Sequence, residues 1–239
     1  MQAKEKIILA LDVDNLEKAL DLVRELKDHV GMFKVGMELY YSTGPDIVKR
    51  INDLGGKVFV DLKLHDIPNT AGGAGRALTR LNCAMFNVHA AGGFEMMQKT
   101  KTESADEAAK LGITPPLLLA VTVLTSIAQQ QLQEEMMVKD LSVADLVVKW
   151  ALLAQKAGMD GVVSSPREIE LIRSACGPGF KIVTPGIRPA WSEAGDQKRI
   201  TTPKQALEKG TDYMVIGRPI TKAENPKQAA LKIIEELES

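Results

Sequence analysis

The chain has 239 residues, of which 45% are hydrophobic, 26% charged and 4% aromatic, with 30 Lys and Arg set against 31 Asp and Glu. This is the composition of a globular protein long enough to bury a large core. A formal charge of −1 offers no basic face to a phosphodiester backbone, and so few aromatic residues offer little for bases to stack on, which argues against nucleic-acid binding and for small-molecule chemistry.

The first apolar run, residues 7–11, is followed at once by Asp12 and is too short for a signal-peptide core or a membrane span. A cytoplasmic location with no membrane partner is therefore expected. The two cysteines, Cys83 and Cys176, belong to no CxxC or Cys/His cluster and read as core thiols in a reducing compartment.

In chain order, residues 7–11 read as a strand, and residues 15–29 have helical spacing with Asn15 in the cap position. Strand-like runs at 33–37, 57–60 and 85–88 are followed by helical segments at 45–54, 69–81 and 94–110. The run at 117–123 leads through a short solvated amphipathic stretch, 129–137, to a helix over 142–157. Strands at 160–163, 181–183 and 213–216 then precede helices at 166–175, 203–208 and 226–237. Eight strand–helix units in strict alternation predict a single (β/α)8 barrel over residues 1–239. An open doubly wound sheet would place GxGxxG after its first strand, where this chain has DVDN at 12–15.

In a parallel barrel the chemistry lies at the C-terminal strand ends. The sharpest pattern there is D-x-K-x-x-D, formed by Asp61, Lys63 and Asp66. Alternation along a strand puts residues 61 and 63 on one face, and the turn is expected to bring Asp66 near. Lys34, within the apolar second strand, is a fourth ionisable group in the same region. Such a set is either a structural salt-bridge network or a site that needs tuned charge, and its concentration on inward-facing strands favours the site.

A second constellation follows strands seven and eight: PGIR at 185–188 and GRPI at 217–220. Loops in these places commonly seat a phosphate, with Gly217 allowing close backbone approach and Arg188 and Arg218 supplying forked donors. The long loop ending near residue 202, which contains Gln197, is expected to act as a lid. Asp12 either holds sugar hydroxyls or caps the first helix. His65 and His89 lack ligand spacing, and Lys63 beside the acids disfavours a cation, so no metal is expected.

Beyond these patterns, the chain resembles the bacterial type of orotidine 5′-phosphate decarboxylase over nearly its whole length. The resemblance rests on LALDV at 9–13, FKVG at 33–36, VDLKLHDIPNT at 60–70, VHAA at 88–91, VTVLTS at 121–126, PGIR and GRPI. It implies a homodimeric barrel enzyme that converts orotidine 5′-monophosphate to UMP without metal or organic cofactor. Carried over by position, Lys63 protonates C6, Asp61 lies against the departing carboxylate, and Lys34 bonds Asp61 and the ribose. Asp66 and Thr70 reach the ribose in the neighbouring protomer's site, and Asp12 also binds ribose. Thr125 takes the pyrimidine edge, while Arg188, Gln197, Gly217 and Arg218 take the phosphate. The rivals are magnesium-dependent sugar-phosphate enzymes of the same superfamily, a Schiff-base aldolase built on Lys63, and a phosphate-ligand binding protein. The related magnesium enzymes carry an acid where this chain has Lys34.

Overall fold

The computed structural model describes residues 2–192 and 201–239. Eight parallel strands close a barrel in sequence order: β1 (Ile7–Ala10), β2 (Met32–Gly36), β3 (Val58–Leu64), β4 (Met85–His89), β5 (Leu117–Val121), β6 (Gly161–Val163), β7 (Lys181–Pro185) and β8 (Tyr213–Ile216). Around it run α1 (Leu16–Leu26), α2 (Met37–Thr43), α3 (Asp46–Asp53), α4 (Pro68–Arg80), α5 (Gly93–Leu111), α6 (Gln129–Glu134), α7 (Val143–Lys156), α8 (Ile169–Cys176), α9 (Pro203–Glu208), α10 (Arg218–Thr221) and α11 (Pro226–Glu238). The expected barrel is thus the observed one. No described helix is long and apolar enough to cross a membrane.

Local chemistry accounts for most helix starts. The Asn15 side chain accepts from the amides of Glu17 and Lys18 and so opens α1, Pro68 occupies the first turn of α4, and Ser142 and Asp145 form a reciprocal cap on α7. The first helix ends at Leu26, short of residue 29. The helix expected from residue 166 begins only at Ile169, because Ser165 accepts the Glu168 amide through its carbonyl and the Arg167 amide through its hydroxyl. The sequence reading missed α2, since Met37 continues the apolar run of β2 and masks the helix that starts there. The third strand extends to Leu64, beyond the expected residue 60.

Side chains alternate between two cores. Outward residues such as Ile7, Leu9, Val58 and Val60 pack against the helices, whereas Ile8, Ala10, Met32, Phe59, Met85, Leu119, Val183, Tyr213 and Val215 fill the barrel interior. Each large apolar side chain so buried contributes about 1.5–3 kcal/mol. That interior plug has a direct consequence for the site. Two residues further along each strand, on the same inward face, stand Lys34 after Met32, Asp61 after Phe59 and Asn87 after Met85. A polar layer therefore rests on an apolar floor at the C-terminal end of the barrel.

Candidate active site

The polar layer is an alternating chain of charges. Lys34 Nζ lies 3.2 Å from Asp12 Oδ1 and 3.5 Å from Asp61 Oδ2, and Lys63 Nζ donates to Asp61 Oδ1 at 2.7 Å. The side chains of Lys34 and Asp61 are only 11% and 14% exposed, against 29% for Lys63 and 61% for Asp12, so the chain is anchored in the barrel at its centre and opens outward at both ends. Burial raises the pKa of the Asp61 carboxyl, but Lys34, then Lys63, and hydrogen bonds from Lys63 and Asn87 outweigh it and hold the group below its ordinary value. Asp12 does not cap α1, a role Asn15 performs; it binds Lys34 instead.

Lys63 reaches Asp61 by a route that simple alternation does not describe. Its φ is +52°, in the left-handed region that costs a side-chain-bearing residue about 1–2 kcal/mol. Pairing with β4 jumps from Val60 opposite Phe86 to Leu64 opposite Val88, so residues 61–63 bulge out against Asn87 alone. Asn87, 1% exposed, accepts the Lys63 amide at 2.8 Å and donates to Asp61 Oδ1 at 2.7 Å. Sequence reasoning passed over this residue, although the signal was present: an amide inside the apolar strand MFNVH, in step with Met85, parallels Lys34 inside MFKVG.

Lys34, Asp61 and Lys63 line a cavity of about 270 Å³ whose other walls include Thr125, Ser126, Ser164 and Pro185, with Phe59, Val163 and Val215 beneath. Thr125 is exposed there, on the loop after β5. Gly36 leaves room for the lysine, since a Cβ at that position would stand 3.0 Å from Lys34 Nζ. At the end of β8, Gly217 precedes the short α10 that begins with Arg218, and a Cβ at Gly217 would lie 3.5 Å from Asp12 Oδ2. Arg188, just beyond β7, is 7% exposed, and its amide bonds the Thr201 carbonyl. Gln197 and the central part of the expected lid lie outside the described residues.

One expectation is not met within the single chain. Asp66 does not join the charge network of its own chain: it is exposed and accepts the Ile67 amide at 2.7 Å, and among the described residues it forms no ion pair with Lys63. It lies in the turn between β3 and α4 and does not line the cavity described above. Thr70, in the first turn of α4, is exposed as well. His65 and His89 stack on each other with ring centres 5.4 Å apart, and His89 packs edge-on against Trp150. Burial, then the neighbouring His65 and Lys63, lowers the pKa of His89.

Comparison with known proteins follows the same outline. Residues 5–233 match the orotidine 5′-phosphate decarboxylase / HUMPS family. The chain is 68% identical over 238 residues to the orotidine 5′-phosphate decarboxylase of Syntrophomonas wolfei, covering 100% of both chains. To that of Moorella thermoacetica it is 53% identical, covering 100% of this chain and 94% of the other. The crystal structure of orotidine 5′-phosphate decarboxylase from Lactobacillus acidophilus superposes with a TM-score of 0.86 at 40% identity, covering 98% of this chain and 99% of that one.

Proposed function

Because the chain belongs to the orotidine 5′-phosphate decarboxylase / HUMPS family and is a carboxy-lyase acting on orotidine 5′-monophosphate in pyrimidine biosynthesis, we propose that Lys63, Asp61 and Lys34 carry the reaction without metal or organic cofactor. The observation that carries this reading is the alternating chain Asp12–Lys34–Asp61–Lys63 at the edge of the 270 Å³ cavity.

Loss of CO₂ from C6 leaves the bonding electron pair on a ring carbon that has no π-system to receive it. The site must therefore offer a fixed positive charge and then a proton. The Lys63 ammonium does both: it faces the developing carbanion, transfers its proton to C6 to give UMP, and regains a proton from solvent. Asp61, kept ionised by Lys34 and Lys63, orients Lys63 and stands against the substrate carboxylate. That proximity is unfavourable before CO₂ leaves and relieved afterwards, but the larger contribution is the preorganised charge. Lys34 and Asp12 take the ribose hydroxyls, and Thr125 the pyrimidine edge. Arg188, Gly217 and Arg218, with Gln197 from the lid, take the phosphate and so hold the ring in place far from the breaking bond.

The cation-rich mouth favours a metal-free reaction. Lys34 stands where the related magnesium enzymes have a ligating acid, and an ammonium beside Asp61 competes with a divalent ion for the same oxygens. Residues 1–239 act as one catalytic domain, in the cytoplasm. The working unit is a homodimer with shared sites. In support, Asp66 and Thr70 are exposed and stand outside the ion-pair chain of their own protomer, and Ile67 between them is 67% exposed, as a surface covered by a second copy would be.

The deciding experiment is an ultraviolet assay of orotidine 5′-monophosphate consumption by purified protein after exhaustive chelation. Full activity is the expected result; activity that disappears and returns with Mg²⁺ overturns the metal-free reading. For the shared sites, mixing Lys63→Ala with Asp66→Ala protein should restore about a quarter of parental activity through mixed dimers that each keep one intact site. No recovery after subunit exchange would refute the sharing.

A further inference from the structure

Among the described residues, Asn87 is the one buried polar residue that bonds both members of the Lys63–Asp61 pair and for which the proposed chemistry names no task. Its side-chain amide is engaged at both ends. Oδ1 accepts the Lys63 backbone amide at 2.8 Å, and Nδ2 donates to Asp61 Oδ1 at 2.7 Å, the same oxygen that receives Lys63 Nζ. The fixed orientation of a planar amide links the two bonds, because turning it to improve one breaks the other.

The bulge explains why such a clamp is needed. Between Val60↔Phe86 and Leu64↔Val88, β3 advances four residues while β4 advances two, so the backbone of Asp61, Leu62 and Lys63 has no matched partners on β4. The part-buried Lys63 amide, on a residue with a φ of +52°, would otherwise be a donor without a ladder carbonyl, and a left-handed lysine persists only where surrounding contacts hold it. Asn87 stands opposite the bulge on a strand pinned from the other side, with Phe86 through His89 in regular register with Leu118 through Val121 of β5.

We infer that Asn87 is a positioning residue for the decarboxylation site, holding the Lys63 backbone and the Asp61 carboxylate in the one arrangement that aims the Lys63 ammonium across the cavity. It touches no reacting atom and acts through the other two residues. The inference rests on the reading that Lys63 donates the proton.

The test compares the parent protein with Asn87→Ala and Asn87→Ser in steady-state decarboxylation, together with thermal melting and UMP binding. The expected result is a fall in kcat of about 100-fold for Asn87→Ala, with KM and UMP affinity within threefold of the parent and the protein folded at the assay temperature. Asn87→Ser, which keeps a hydroxyl in the layer but cannot bridge both groups, should show the same split and decides the matter if the alanine variant does not fold. The Lys63 amide should also exchange with deuterium faster in the variant. A kcat within twofold of the parent, or a kcat loss matched by an equal loss of folded protein, overturns the inference. A parent inactive on orotidine 5′-monophosphate, or Lys63→Ala protein that keeps parental turnover, would instead overturn the reading on which it rests.

Discussion

At the N-terminal ends of the strands, Asp160 pairs with Lys101 at 2.6 Å and accepts the Leu118 amide at 2.7 Å, while Asp212 pairs with Arg173 at 2.6 Å and Lys181 at 3.2 Å and accepts the Ile182 amide. At the C-terminal ends, Asp61 likewise meets two cations and an N–H donor. The residue types and distances are nearly the same; the surroundings are not. Each acid of the lower end bonds the backbone of a neighbouring strand, so its charge ties the barrel together. The upper acid bonds side chains only, one of them on a left-handed residue beside an open cavity, so its charge holds Lys63 and Lys34 rather than the backbone of a neighbouring strand. A depression of about 360 Å³ does exist at the lower end, bordered by Gln155, Asp160, Cys176 and Lys181, but Gln155 already bonds the Cys176 carbonyl, and Asp160 and Lys181 are paired. Ion pairing alone does not mark the site; a charge network held in strained backbone next to space for a ligand does.

The sharpest way to test this contrast is to remove charges at each end in turn. Lys63→Ala should lower kcat by about 10⁴-fold, the joint loss of proton donor and fixed cation, while UMP binding measured by calorimetry survives; turnover at the parental rate would end the assignment.

Asp61→Asn should lower kcat by about 10³-fold and also carry a pH signature. Because the folded-state pKa of Asp61 lies below its ordinary 3.8, its ionised form contributes stability that is present above that value and lost as pH falls through the lowered one. The gap between parent and variant in urea midpoints should therefore be open at pH 7 and close as pH drops below 3.8. A gap that widens on acidification would contradict this.

Asp212→Asn should do the opposite of Asp61→Asn. It leaves Arg173 and Lys181 without their acid and should cost about 3 kcal/mol of stability, while kcat per folded molecule stays at the parental value. A large specific loss of kcat would erase the distinction between the ends. The smallest effect is expected from Gly36→Ala, where the added methyl carbon pushes Lys34 Nζ from a 3.0 Å approach; kcat/KM should fall about tenfold with melting unchanged, and no change would show that Lys34 has slack.

Much of this was readable along the chain because it depends on neighbours in sequence. Alternating apolar runs set out the eight units, Asn15, Pro68 and Ser142 marked helix starts, and D-x-K-x-x-D with Lys34 pointed to the mouth. Where the reading failed, the cause was competition between two local signals or a partner distant in sequence. Met37 belongs equally well to an apolar strand and to the helix it begins. Asp66 sits three residues from Lys63 yet bonds the Ile67 amide at the entry to α4 rather than joining the charge network of its own chain.

The sequence by itself determined the (β/α)8 alternation and the identity of the charged residues, because periodicity and residue chemistry are carried by each segment alone. Only the tertiary structure decided that Lys63 is left-handed, that residues 61–63 bulge, and that an asparagine on the next strand clamps them. A bulge is a mismatch between two strands, and a mismatch exists only once their register is set by the packing of the whole barrel.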